Sequence, residues 1–68
     1  MSDDAKKLGE NLKAIRVKKN ITQSDLADMV NVDKSFISNI ENAKNNPTLS
    51  TITNLAKVLG LPTNELLK

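Results

Sequence analysis

Apolar residues recur at helical spacing from Ala5 to Leu67 and nowhere alternate with a sustained period of two, so the chain is expected to fold from helices alone. Ala5, Leu8, Leu12 and Ile15 share one face of a first helix, which the hydrophilic stretch Lys18-Lys19-Asn20 ends. Leu26, Ala27 and Val30 form the inner side of a second helix and Ile37 and Ile40 that of a third. Leu49, Ile52, Leu55, Ala56 and Leu59 line a fourth, and Leu61-Pro62 introduces a short last helix ending in Leu66 and Leu67. The expected fold class is all-α, five short helices around one core in a single domain spanning 1–68, with no internal repeat or linker. That core must hold by packing. A chain of 68 residues buries little surface, and without Cys or His it has neither disulfides nor the usual zinc ligands. No metal and no cofactor is expected.

The helix boundaries are written in the polar residues. Thr22 before Gln23-Ser24-Asp25 is an N-cap whose hydroxyl can accept from a free backbone amide, with Asp25 near the positive end of the helix dipole. Asn31 tolerates the left-handed conformation with which helices stop, Val32 plugs the core, and Asp33 suits the N-cap of a third helix from Lys34 to about Asn42. After the polar loop Ala43 to Pro47, Thr48 caps the fourth helix and Gly60 stops it. Two helices joined by about three turn residues meet the requirement for a helix-turn-helix, here about residues 22–42.

The third helix bears most on function. At about 100° per residue, Lys34, Ser35, Ser38, Asn39 and Asn42 fall within an arc of ~140°, opposite Ile37 and Ile40. A solvated face ordinarily gathers long charged residues in helix-supporting pairs, whereas Ser and Asn are mediocre helix formers. They do suit base edges: Asn pairs with adenine, Lys donates to guanine, and Ser lets the backbone approach. Taken alone, the face fits a base-reading surface and a wetted one about equally.

Composition narrows the partners. Ten Lys and Arg against eight Asp and Glu give a net charge of +2, which permits nucleic acid without demanding it. Phe36 is the single aromatic residue, which argues against surfaces that stack single-stranded bases on several rings. Met1-Ser2-Asp3-Asp4 has no leader character and no apolar run is long enough to span a bilayer, so a cytoplasmic protein without membrane contact is expected. An enzyme is not expected, because no nucleophile and base pair or metal cluster can be assembled.

Four segments together resemble a known family: Ile21-Thr22-Gln23-Ser24-Asp25-Leu26-Ala27, Val32 through Glu41, Asn46-Pro47-Thr48-Leu49, and Leu55-Ala56-Lys57-Val58-Leu59-Gly60. In this order and spacing, from Leu8 to Leu67, they are similar to the lambda-repressor-like helix-turn-helix domains of phage repressors and bacterial xenobiotic-response-element regulators. The resemblance implies a compact five-helix DNA-binding domain. It implies that Gln23 grips a phosphate, that Lys34, Ser35 and Asn39 read bases with Ser38 on base or phosphate, and that Asn42, Lys44 and Asn45 follow the phosphate backbone. It further implies a transcriptional regulator, most simply a repressor, bound as a homodimer to a pseudo-palindromic operator in double-stranded DNA. Its dimer surface would lie among Leu61, Thr63, Glu65 and Leu66. Lys34-Ser35-Phe36-Ile37-Ser38 is also similar to controller proteins of restriction-modification systems. Protein-binding relatives of the antitoxin or coactivator type form a further alternative, against which the polar third helix counts.

Several residues have two readings. Arg16 is either a phosphate clamp or the partner of Glu41; the family often joins these places by an ion pair, and that structural reading is favoured because a partly buried Arg needs an anion. Phe36 either lids the second helix, the favoured reading, or touches a thymine methyl or sugar. Lys6, Lys7, Lys13, Lys18 and Lys19 are spread around the first helix and are read as solvated, one or two of them near phosphates. The chain departs from the family at Asn31 and Ala43, where glycine is common, and at Pro62 in place of a capping Ser or Thr. Ala43 is expected to alter the end of the third helix and with it the contacts of Lys44 and Asn45.

Overall fold

The structure is a computed structural model that describes residues 3–68; Met1 and Ser2, included in the leader reading, lie outside the described residues. Its helices are α1 (Asp3–Lys18), α2 (Gln23–Val30), α3 (Lys34–Glu41), α4 (Leu49–Val58) and α5 (Asn64–Leu67), with no strand among the described residues. No helix among these residues is long and apolar enough to cross a membrane. α1 packs on α3 and α5, α2 on α3 and α4, and α4 on α5. Leu8 and Leu12, Leu26 and Ala27, Ile37 and Ile40, Leu55 and Ala56, Leu59 and Leu66 meet in one core. Each large aliphatic residue fully withdrawn from water there contributes about 1.5–3 kcal/mol.

The ends of the helices follow local chemistry. Thr22 Oγ1 accepts from the Asp25 amide at 2.9 Å while Asp25 Oδ2 accepts from the Thr22 amide at 3.3 Å, a reciprocal box that fastens the start of α2. Thr48 Oγ1 accepts from the Thr51 amide at 3.2 Å. Asp33 occupies the N-cap position of α3 with extended backbone; its carbonyl accepts from the Phe36 amide at 3.0 Å, but its side chain makes no capping bond. Thr63, rather than Pro62, stands before α5, also without a side-chain cap.

α1 to α4 all stop in the same way. Asn20, Asn31, Ala43 and Gly60 have φ of 59°, 59°, 57° and 75°. The next residue's amide reaches back five positions: Ile21 to Arg16, Val32 to Ala27, Lys44 to Asn39 and Leu61 to Ala56, at 2.8–3.0 Å. The left-handed residue's own amide reaches back three positions, and the two bonds together satisfy carbonyls that a helix end leaves open. Ile21, Val32 and Leu61 then pack against the core, as the motif's apolar contact requires. Contrary to the expectation from its sequence, Ala43 does not alter the end of α3, because it adopts the left-handed geometry itself. The departure from glycine appears as strain of about 1–2 kcal/mol instead of as a different turn.

Gly9 positions α1 against α3. A Cβ at this buried site would lie 2.5 Å from the Ile40 carbonyl oxygen and 2.7 Å from that of Glu41, so only a residue without a side chain lets α1 cross the last carbonyls of α3 at this distance. Backbone cannot yield as a flexible side chain can. Gly9→Ala is therefore expected to lower unfolding free energy by about 1–3 kcal/mol in urea titrations, and an unchanged midpoint would contradict the close approach. Ala43→Gly should raise it by about 1 kcal/mol as the left-handed strain disappears, despite the added freedom of the unfolded chain; a loss of stability would contradict the strain.

Candidate nucleic-acid interface

α3 presents its polar residues together because its apolar ones are anchored beneath. Ile37 and Ile40 are 0% and 1% exposed. Lys34, Ser35, Asn39 and Asn42 are exposed and Ser38 is half-buried. Asn42 ends the helix: its Nδ2 donates to the Ser38 carbonyl at 2.9 Å and, at 3.4 Å, to the Ser38 hydroxyl. Part of its amide is thus already engaged with its own helix. Phe36 is half-buried and packed against the core, the geometry of a lid.

Beside this face lies a cleft of about 520 Å³ between the end of α1 and the start of α2, with Arg16, Gln23, Ser24 and Lys34 among its lining residues. Within α2 the Asp25 amide is held by the Thr22 hydroxyl and that of Leu26 by the Thr22 carbonyl. The amides of Gln23 and Ser24 precede any intrahelical acceptor, so the cleft combines a helix N-terminus with the Lys34 ammonium. Such a surface favours an anion.

Arg16 and Glu41 form an ion pair beneath the cleft. Arg16 Nε donates to Glu41 Oε2 at 2.7 Å and Nη2 donates to Oε1 at 3.2 Å, while Nη1 donates to the Ile21 carbonyl at 2.8 Å. The two side chains are 11% and 2% exposed. Sequence reasoning missed a third partner, for Gln23 Nε2 donates to Glu41 Oε1 at 3.0 Å. No local pattern in the sequence links the start of α2 to the end of α3, so this bond is visible only in the structure.

The remaining expected residues are spread beyond the face of α3. Lys44 is exposed in the loop after α3, whereas Asn45 is half-buried and its Oδ1 is shielded without a hydrogen-bond partner. Leu61, Thr63 and Glu65 are partly exposed. Leu66, expected with them at a dimer surface, is corrected: it is 0% exposed in the core, and its carbonyl accepts from Asn11 Nδ2 at 2.9 Å. It supports α5 from below and lines no outer surface. Leu67 beside it is the exposed apolar residue of α5, at 45%.

Comparison with known proteins agrees with this architecture. The immunity repressor of Bacillus phage phi105 is 39% identical over 54 residues, covering 79% of this chain, which spans 38% of the repressor's length. A solved hypothetical transcription factor from Neisseria superposes with a TM-score of 0.93 at 32% identity over 97% of this chain and 76% of that one. The restriction-modification controller protein C.AhdI of Aeromonas hydrophila superposes with a TM-score of 0.90 at 31% identity, covering 96% of this chain and 98% of the controller. The helix-turn-helix family model matches residues 12–66, and with the turn between α2 and α3 in place the chain belongs to that family, in its lambda-repressor-like, xenobiotic-response-element branch.

Proposed function

We propose that this chain is a regulator of transcription that binds double-stranded DNA sequence-specifically, with α3 in the major groove. The observation that carries the reading is the joint exposure of Lys34, Ser35 and Asn39 on a helix whose Ile37 and Ile40 are sealed in the core. In this reading Lys34, Ser35, Ser38 and Asn39 meet base edges, and Gln23, Asn42, Lys44 and Asn45 meet phosphates. Phe36 reaches a sugar or methyl only at its outer edge. Arg16 serves the fold through Glu41, and Lys34 lends positive potential to the cleft. The role is regulatory rather than catalytic, and its place is the cytoplasm.

A single α3 spans few base pairs, so the chain acts as a homodimer on a pseudo-palindromic operator with recognition helices about 34 Å apart. Its dimer surface is built on Leu61, Thr63 and Glu65, with Leu66 behind them. Kinship with an immunity repressor supports repression. A second reading, a controller protein of a restriction-modification system, is favoured by the likeness to C.AhdI, with a TM-score of 0.90 at 31% identity. A protein-binding module is disfavoured, because the outward face of α3 offers hydrogen-bonding groups instead of an apolar patch.

Selection from random duplexes, followed by titration of single-base variants, tests the reading. Asn39→Ala is expected to cost ~1–3 kcal/mol at one base-pair position and relax discrimination there, while Gln23→Ala weakens every duplex alike. Equal loss over all variants for Asn39→Ala would remove Asn39 from base reading.

A further inference from the structure

We propose that Glu41 is a positioning residue for Gln23, so that one buried carboxylate sets both the angle of α3 and the direction in which an α2 side chain meets a phosphate. The inference rests on the duplex-binding reading above and deepens it. Its basis is the hydrogen bond from Gln23 Nε2 to Glu41 Oε1 at 3.0 Å, made on a carboxylate whose side chain is 2% exposed and already fixed by Arg16.

A carboxylate only accepts hydrogen bonds, so the Gln23 amide can face Glu41 only with its nitrogen; turned over, two acceptor oxygens would oppose each other. A phosphate diester also only accepts, which excludes the Gln23 carbonyl oxygen as its partner. The group able to serve a phosphate is therefore the second N–H of Nε2, the atom that Glu41 holds. The ion pair with Arg16 needs no third partner, and the Gln23 bond is an addition to it. Holding that nitrogen in advance removes part of the ordering cost of the DNA contact. Arg16 neutralises the carboxylate beside it, so the phosphate does not meet a bare negative charge.

The test compares the affinity of four proteins for one selected duplex: the unsubstituted chain, Glu41→Gln, Gln23→Met and the double variant, each corrected for folded fraction by circular dichroism. Glu41→Gln keeps an acceptor for Arg16 but can both donate and accept, and so no longer dictates the amide's direction. Gln23→Met keeps the length of the side chain and removes the amide. Each single change is expected to weaken binding roughly three- to tenfold, and Glu41→Gln should cause no further loss in the Gln23→Met background. The same loss in both backgrounds, the signature of a purely structural Glu41, overturns the proposal.

A readout without DNA guards against loosening of the fold. In the free protein one Nε2 proton of Gln23 should resonate downfield and exchange slowly, and this distinction should be lost in Glu41→Gln. Identical Gln23 signals in the two proteins overturn the proposal. Failure of the unsubstituted chain to bind any selected duplex overturns the duplex reading and this inference with it, whereas intact binding without coupling overturns this inference alone.

Discussion

α1, α2 and α3 converge on the carboxylate of Glu41, which accepts from Arg16 and from Gln23 while Arg16 also reaches the Ile21 carbonyl between α1 and α2. A buried ion pair is a weak source of net stability, because removing both charges from water costs about what their attraction returns. Its effect lies in geometry. The bidentate fork ties the end of α3 to α1, and Gly9 lets the two backbones come close beneath the carbonyls of Ile40 and Glu41. Ile37 and Ile40 supply the apolar energy that holds α3 down, and the ion pair sets its angle.

The way the helices end serves the same surface. At the ends of α1, α2 and α4, the residue after the left-handed one is apolar and packs inward. At the end of α3 that place belongs to Lys44, which is exposed. The stop that elsewhere anchors a loop to the core here leaves a cation exposed in the loop after α3. Ala43 in the strained position keeps the turn tight without the glycine usual there.

Much of this was legible in the residues because it depends on local rules. The opposition of Ile37 and Ile40 to Lys34, Ser35 and Asn39 follows from helical geometry alone, the Thr22 and Thr48 caps from hydroxyl chemistry, and the stops at Asn31 and Gly60 from tolerance of positive φ. What escaped depends on which helices meet. Gly9 reads as a weak point in a helix until α3 is laid across it. The bond from Gln23 to Glu41 joins residues that share no local pattern. Leu66 and Leu67 are equally apolar neighbours, and only the packing of α5 on α1 and α4 decides that the first is buried and the second exposed. Asp33 has the right chemistry for a cap, yet makes no such bond.

In this domain the outward face of α3 is proposed to meet a duplex while its inner face stays in the core. Nuclear magnetic resonance of the labelled protein, titrated with a selected duplex, addresses it most directly. The largest shifts are expected at the amides and side chains of Lys34, Ser35, Ser38 and Asn39 and at the start of α2, with the methyl signals of Ile37 and Ile40 almost unmoved. Shifts centred on α4 and α5, with the polar face of α3 unchanged, would contradict it.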